Sequence, residues 1–88
     1  MTLARWTPAA QMELLSHTND RRGSDYGYRG ARIETCGPKS PTANFMRLAG
    51  HPYDGQPFAR TREIQRLVDA WEDHDRLPDP YVGPRRVR

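Results

Sequence analysis

Between Thr61 and Asp75, Ile64, Leu67, Val68 and Trp71 stand at i, i+3, i+4 and i+7. That spacing puts all four on one face of an α-helix. No other stretch of the chain has so long an apolar period, so any core must be built on this one. The remainder offers little. Leu, Ile, Val and Phe together number thirteen of 88 residues, about 15%, below the roughly 20% at which chains begin to fail to form a core. A domain of this size also buries only about 60–65% of its unfolded surface. Small domains make up such a deficit with disulfides, metals or partners. Cys36 is the single cysteine, so no internal disulfide can form, and partners become the expected remedy.

Two further helices are expected from cap signals. Thr7 before Pro8 is a favourable helix start. From Pro8 to His17, Ala10, Met12, Leu14 and Leu15 make one broad apolar side. Asn19, Asp20 and Gly23 end it by turn chemistry. Ser40 before Pro41 repeats the start signal. Phe45, Met46, Leu48 and Ala49 then give a short helix over Pro41–Ala49, with Gly50 as its C-cap. Residues 26–35 leave room for a strand pair around Ile33. The fold expected is therefore mainly α: a small single domain, residues 1–77, of about three short helices with long Gly/Pro-rich loops. Leu3, Trp6, Met12, Leu15, Phe45, Leu48, Ile64, Leu67, Val68 and Trp71 are its expected core. Residues 78–88 hold three prolines and three arginines without apolar period, and read as an extended arm.

The last helix breaks a local rule. Arg60, Arg62 and Arg66 stand at its start and Asp69, Glu72, Asp73 and Asp75 at its end. The helix dipole prefers the reverse by about 0.3–1 kcal/mol per terminal charge. Charge is uneven along the whole chain. Residues 1–50 hold seven basic and four acidic residues, residues 51–79 four and seven, and residues 80–88 three basic and no acidic ones. A nucleic-acid binder more often carries a basic stripe without an acidic block beside it. The mixed pattern favours a protein partner.

Catalysis and cofactors are not expected. His17, Cys36, His51 and His74 lack the close spacing of metal ligands. Nothing around Cys36 marks a nucleophile. The acidic pairs of the last helix would need a sheltered cleft for general acid–base work. No apolar run approaches the roughly 18–20 residues of a membrane span. Met1–Pro8 does not read as a signal peptide, and one unpaired cysteine fits a reducing compartment. The setting expected is the cytoplasm or a particle assembled there.

The function expected is that of a small non-catalytic interaction protein docking on a larger protein or ribonucleoprotein assembly. It would serve as a structural subunit or as a phage-type inhibitor or adaptor, without membrane, cofactor, metal or small-molecule substrate. The alternative is an RNA- or DNA-binding accessory protein. In that reading residues 21–32, with four Arg, three Gly and two Tyr, would use arginine on phosphate and tyrosine on bases, and the basic tail Arg85, Arg86 and Arg88 would add phosphate contacts. The candidate contact residues are Tyr26, Tyr28, Arg29, Arg32, Tyr53, Arg60, Arg62, Arg66, Tyr81, Arg85, Arg86 and Arg88. Arg, Tyr and Trp are the types that dominate interfaces.

Overall fold

The computed structural model describes residues 12–37 and 43–88. Five strands run in chain order: β1 (Glu13–Ser16), β2 (Arg22–Tyr28), β3 (Ala31–Cys36), β4 (Asn44–Arg47) and β5 (Pro57–Phe58). They form one antiparallel sheet in which every strand neighbours its successor. The helix α1 (Thr61–His74) follows and packs on one face.

The mainly α expectation is overturned, and among the described residues only the last of the three expected helices forms. The C-terminal part of the expected helix Pro8–His17 is β1; its first residues, with Leu3 and Trp6, lie outside the described residues. The expected helix Pro41–Ala49 contains β4, and its first two residues lie outside the described residues. In both segments apolar residues three or four apart imitated a helical face. The strand pair near residues 26–35 does form, as the β2–β3 hairpin. Its two-residue turn has both central residues at positive φ, Arg29 at 48° and Gly30 at 90°. That is the hairpin turn whose twist matches the strands, and glycine adopts it freely.

Alternation along each strand separates two faces. The inner rows are Leu14, Tyr26, Ile33 and Met46, then Tyr28 with Ala31, then Thr35, Asn44 and Phe58. Tyr28, Ala31, Ile33 and Met46 join Ile64, Leu67, Val68, Trp71 and Leu77 in the buried core. The helical face read from sequence is thus the centre of the core. Met12 and Leu48 pack on its margin, whereas Leu15 is 46% exposed. Phe45 points to the other face and takes no place in the core.

The acidic C-terminal charges of α1 find their partners elsewhere in the fold. Arg29 donates to Asp69 at 2.8 Å and forks onto Asp73 at 2.7 and 3.2 Å. Arg86 meets Glu72 at 3.1 Å and Arg88 meets Asp75 at 2.6 Å. Within the helix Glu63 and Arg66 pair at 3.0 Å. The expected arm, residues 78–88, lies back against α1. Leu77 is buried, and Tyr81 joins Tyr53 and Phe58 in a ring cluster with centroids 5.3–6.4 Å apart. Among the described residues no helix is long and apolar enough to cross a membrane.

Candidate interface on the open sheet face

The face of the sheet away from α1 has no covering element among the described residues. Two cross-strand rows define it: Asp25, Glu34, Phe45 and Pro57, and Glu13, Gly27, Arg32 and Arg47. Leu15 lies over Gly27, where a Cβ would stand 3.4 Å from its side chain. Arg21 enters from the loop before β2, and its guanidinium sits 4.1 Å above the Phe45 ring. Arg47 approaches the same ring at 5.9 Å.

Arg32 and Arg47 are direct register partners. Like charges placed opposite one another destabilise a sheet. Carboxylates set below them offset the repulsion. Asp25 accepts from Arg32 at 2.8 Å. Glu34 accepts from Arg47 at 3.2 Å and lies 3.9 Å from both Arg21 and Arg32. Asp25 is buried while the three guanidiniums remain partly exposed. The face therefore presents positive charge outward over acids held beneath. Hydrogen bonds from Arg32 and then Asn19 hold the Asp25 carboxyl below its ordinary pKa, so it stays ionised.

Asn19 organises the rim. Its amide donates to Asp25 and to the Thr35 carbonyl, and its carbonyl accepts from the amides of Arg21 and Gly23. The register of β2 shifts between Arg22 and Asp25 in a bulge, with Arg22 at φ 65°. Thr35 approaches so closely there that a Cβ on Gly23 would fall 2.0 Å from its carbonyl oxygen. The bulge turns Arg21 over the sheet beside a recess of about 460 Å³ lined by Asn19, Asp20, Arg21, Asp25, Glu34 and Arg47.

Of the twelve contact residues expected from sequence, the open face takes Arg32 alone. Tyr28 is buried, its hydroxyl donating to Asp69 at 2.8 Å, and burial followed by that bond pushes its pKa up. Tyr26 is half-buried against the core, and Arg29 is clamped on α1. Tyr28 and Arg29 are engaged within the fold, whereas Arg21, Arg22 and Arg32 are exposed. Tyr53 and Tyr81 sit in the ring cluster, with Tyr81 donating to Glu63 at 2.9 Å. Arg66 is held by Glu63 and the Asp79 carbonyl. Arg60, Arg62 and Arg85 are exposed and make no ion pair among the described residues. Arg86 and Arg88 are bound to the end of α1.

Sequence reading missed Asn19, Arg21, Asp25, Glu34, Phe45 and Arg47 as one surface. They come from separate strands and loops, and only the register joins them. Among the described residues no group of three or more His, Cys, Asp or Glu could hold a metal ion. No family model, no curated protein and no solved structure matches the chain.

Proposed function

We propose that this chain is a small non-catalytic binding module that docks on a larger protein or ribonucleoprotein assembly through the open face of its sheet. The observation that carries this reading is the array of Arg21, Arg32 and Arg47 fixed around Phe45 and Glu34 on a sheet face with no cover among the described residues. Arginine with an aromatic ring is what interface centres are made of. Here the guanidiniums are pre-positioned by carboxylates, so less side-chain entropy is lost on docking. A cytoplasmic setting belongs to the same proposal and rests on the unpaired Cys36.

Site-specific photocrosslinking in the source cell tests it. A benzophenone side chain at position 47 should give a discrete protein adduct that survives nuclease treatment. The same group at position 62, exposed on α1, should give none. Adducts only from position 62, or adducts that vanish with nuclease, would overturn the reading.

A further inference from the structure

Residues 78–88 form a second surface whose chemistry is visible in the contacts they make. Beyond Tyr81 the segment buries little: Val82 is 84% and Val87 93% exposed. Its start is anchored by Tyr81, whose ring packs on Tyr53 and Phe58 and whose hydroxyl donates to Glu63, and by the Tyr53 hydroxyl on the Val82 carbonyl; beyond Val82 it is held by two arginines on the end of α1. Arg86 Nη1 donates to the Glu72 carboxylate at 3.1 Å and to the Trp71 carbonyl at 3.4 Å. Arg88 donates from Nε to Asp75 at 2.6 Å and from Nη2 to the Glu72 carbonyl at 3.1 Å. The Arg86 amide closes on the Asp75 carbonyl at 2.8 Å. The last carbonyls of a helix lack partners within it and carry its negative dipole end, so a guanidinium suits this place twice over. These pairs are nonetheless partly exposed. Exposed pairs are individually weak and are weakened further by salt. A segment held this way belongs to the low end of local stability.

We propose that residues 82–88, hinged at the packed Tyr81, are a charge-latched strap: α1 holds them closed, and release presents Arg85, Arg86 and Arg88, with Val82 and Val87, to an acidic protein surface. The closed contact shows the chemistry that the strap recognises, namely carboxylates beside helix-end carbonyls. Val82 and Val87, exposed beside the arginines, find apolar contact on a protein and none on a phosphate backbone. The latch and the partner compete for the same guanidiniums, so closure is autoinhibitory. Apparent affinity falls in proportion to the open fraction; a strap closed ten times as often as open weakens partner binding about tenfold. The latch is read from this chain alone and does not depend on the sheet face.

The test uses the full chain. Glu72→Gln with Asp75→Asn removes the latch charges while keeping side-chain size, and Asn is at home at the φ of 54° that Asp75 adopts. Two quantities are read: hydrogen exchange of the Arg86 amide, and anisotropy with a fluorescein-labelled Glu-rich helical peptide. The wild-type amide should exchange several-fold faster in 0.5 M than in 0.05 M salt, about the range over which screening shortens below 10 Å. The unlatched variant should exchange at least tenfold faster at low salt and bind the peptide at least tenfold tighter. Adding Arg86→Gln and Arg88→Gln should abolish that gain. The charge-matched control Glu13→Gln with Asp20→Asn should gain less than threefold. Arg21→Gln with Arg47→Gln should leave the gain intact, which separates this proposal from the sheet-face reading. Equal exchange and equal affinity in wild type and unlatched variant would overturn the strap. A gain towards a single-stranded oligo-dT probe, with none towards the acidic peptide, would overturn the assignment of its partner.

Discussion

Asn19 shows what a single polar side chain does in a thin fold. Four hydrogen bonds converge on it, tying the loop before β2 to the bulge, to Asp25 and to Thr35. Each net bond is worth about 0.5–1.5 kcal/mol, and the buried Asp25 would lose a partner as well. Asn19→Ala should therefore destabilise the chain by about 2–3 kcal/mol in urea unfolding. A loss under about 0.5 kcal/mol would show that the bulge holds without it. That Asn19 is a turn residue was legible, since Asn-Asp followed by Gly signals a turn. Its bond to a residue sixteen positions later was not, because nothing local marks the far partner. Phe45 gives the converse case. It lies on the open face, so Phe45→Ala should change stability by less than about 1 kcal/mol, as surface substitutions do. The partner adduct expected from position 47 should nonetheless weaken, because the ring that seats Arg21 is gone.

Among the elements, α1 was legible and the strands were not, for a physical reason. A helix of fourteen residues repeats its apolar face over nearly four turns, and Ile64, Leu67, Val68 and Trp71 record that period. β1 and β4 have four residues each, so each offers two inward positions. Two positions cannot separate a period of 2 from one of 3.6, and in such strands pairing with neighbours decides the structure. Phe45 and Leu48 thus imitated a helix, although Phe45 lies on the open face and Leu48, just past β4, packs on the core margin. The rule broken by the charges of α1 was also legible; its compensation was not, because Arg29, Arg86 and Arg88 arrive from distant segments. Within α1, Trp71 is buried against the ring of His51, with centroids 4.7 Å apart. Trp71→Ala should cost about 3–5 kcal/mol. Total stability of small domains begins at about 5 kcal/mol, so circular dichroism should show a largely unfolded variant. A native spectrum with unchanged melting would place Trp71 outside the core.

At the scale of the molecule, three kinds of titrating group set a window of pH in which the fold is most stable. His51 is buried beneath the β4–β5 loop. Its Nδ1 accepts from the Tyr53 amide at 2.9 Å, so the neutral ring carries its proton on Nε2. Burial lowers its pKa below the ordinary 6.5; the Leu67 backbone and Asp54 favour the charged ring and Arg86 opposes it. The unfolded chain then binds more protons than the folded one as pH falls below about 6.5, and stability declines there. Asp25 and Asp73 have folded pKa values below 3.8, held down first by Arg32 and Arg29 respectively. Their contribution is present above about pH 4 and is lost further down. Tyr28 and Tyr81 shift upward from 10.0, through burial first and then through bonds to Asp69 and Glu63. The folded chain holds those protons longer than the unfolded chain, so stability falls as pH rises past about 10. Urea midpoints should therefore form a plateau from about pH 7 to about pH 9.5, with a first decline below pH 6.5 and a second below pH 4. Tyr28→Phe should lower the plateau by about 0.5–1.5 kcal/mol for its lost bond and soften the alkaline decline. Ring signals of His51 should remain those of the neutral tautomer at pH values where an unfolded histidine is already half charged. A midpoint that stays level from pH 7 down to pH 4 would show that His51 accepts its proton in place, and that the loop over Trp71 opens without cost to the fold.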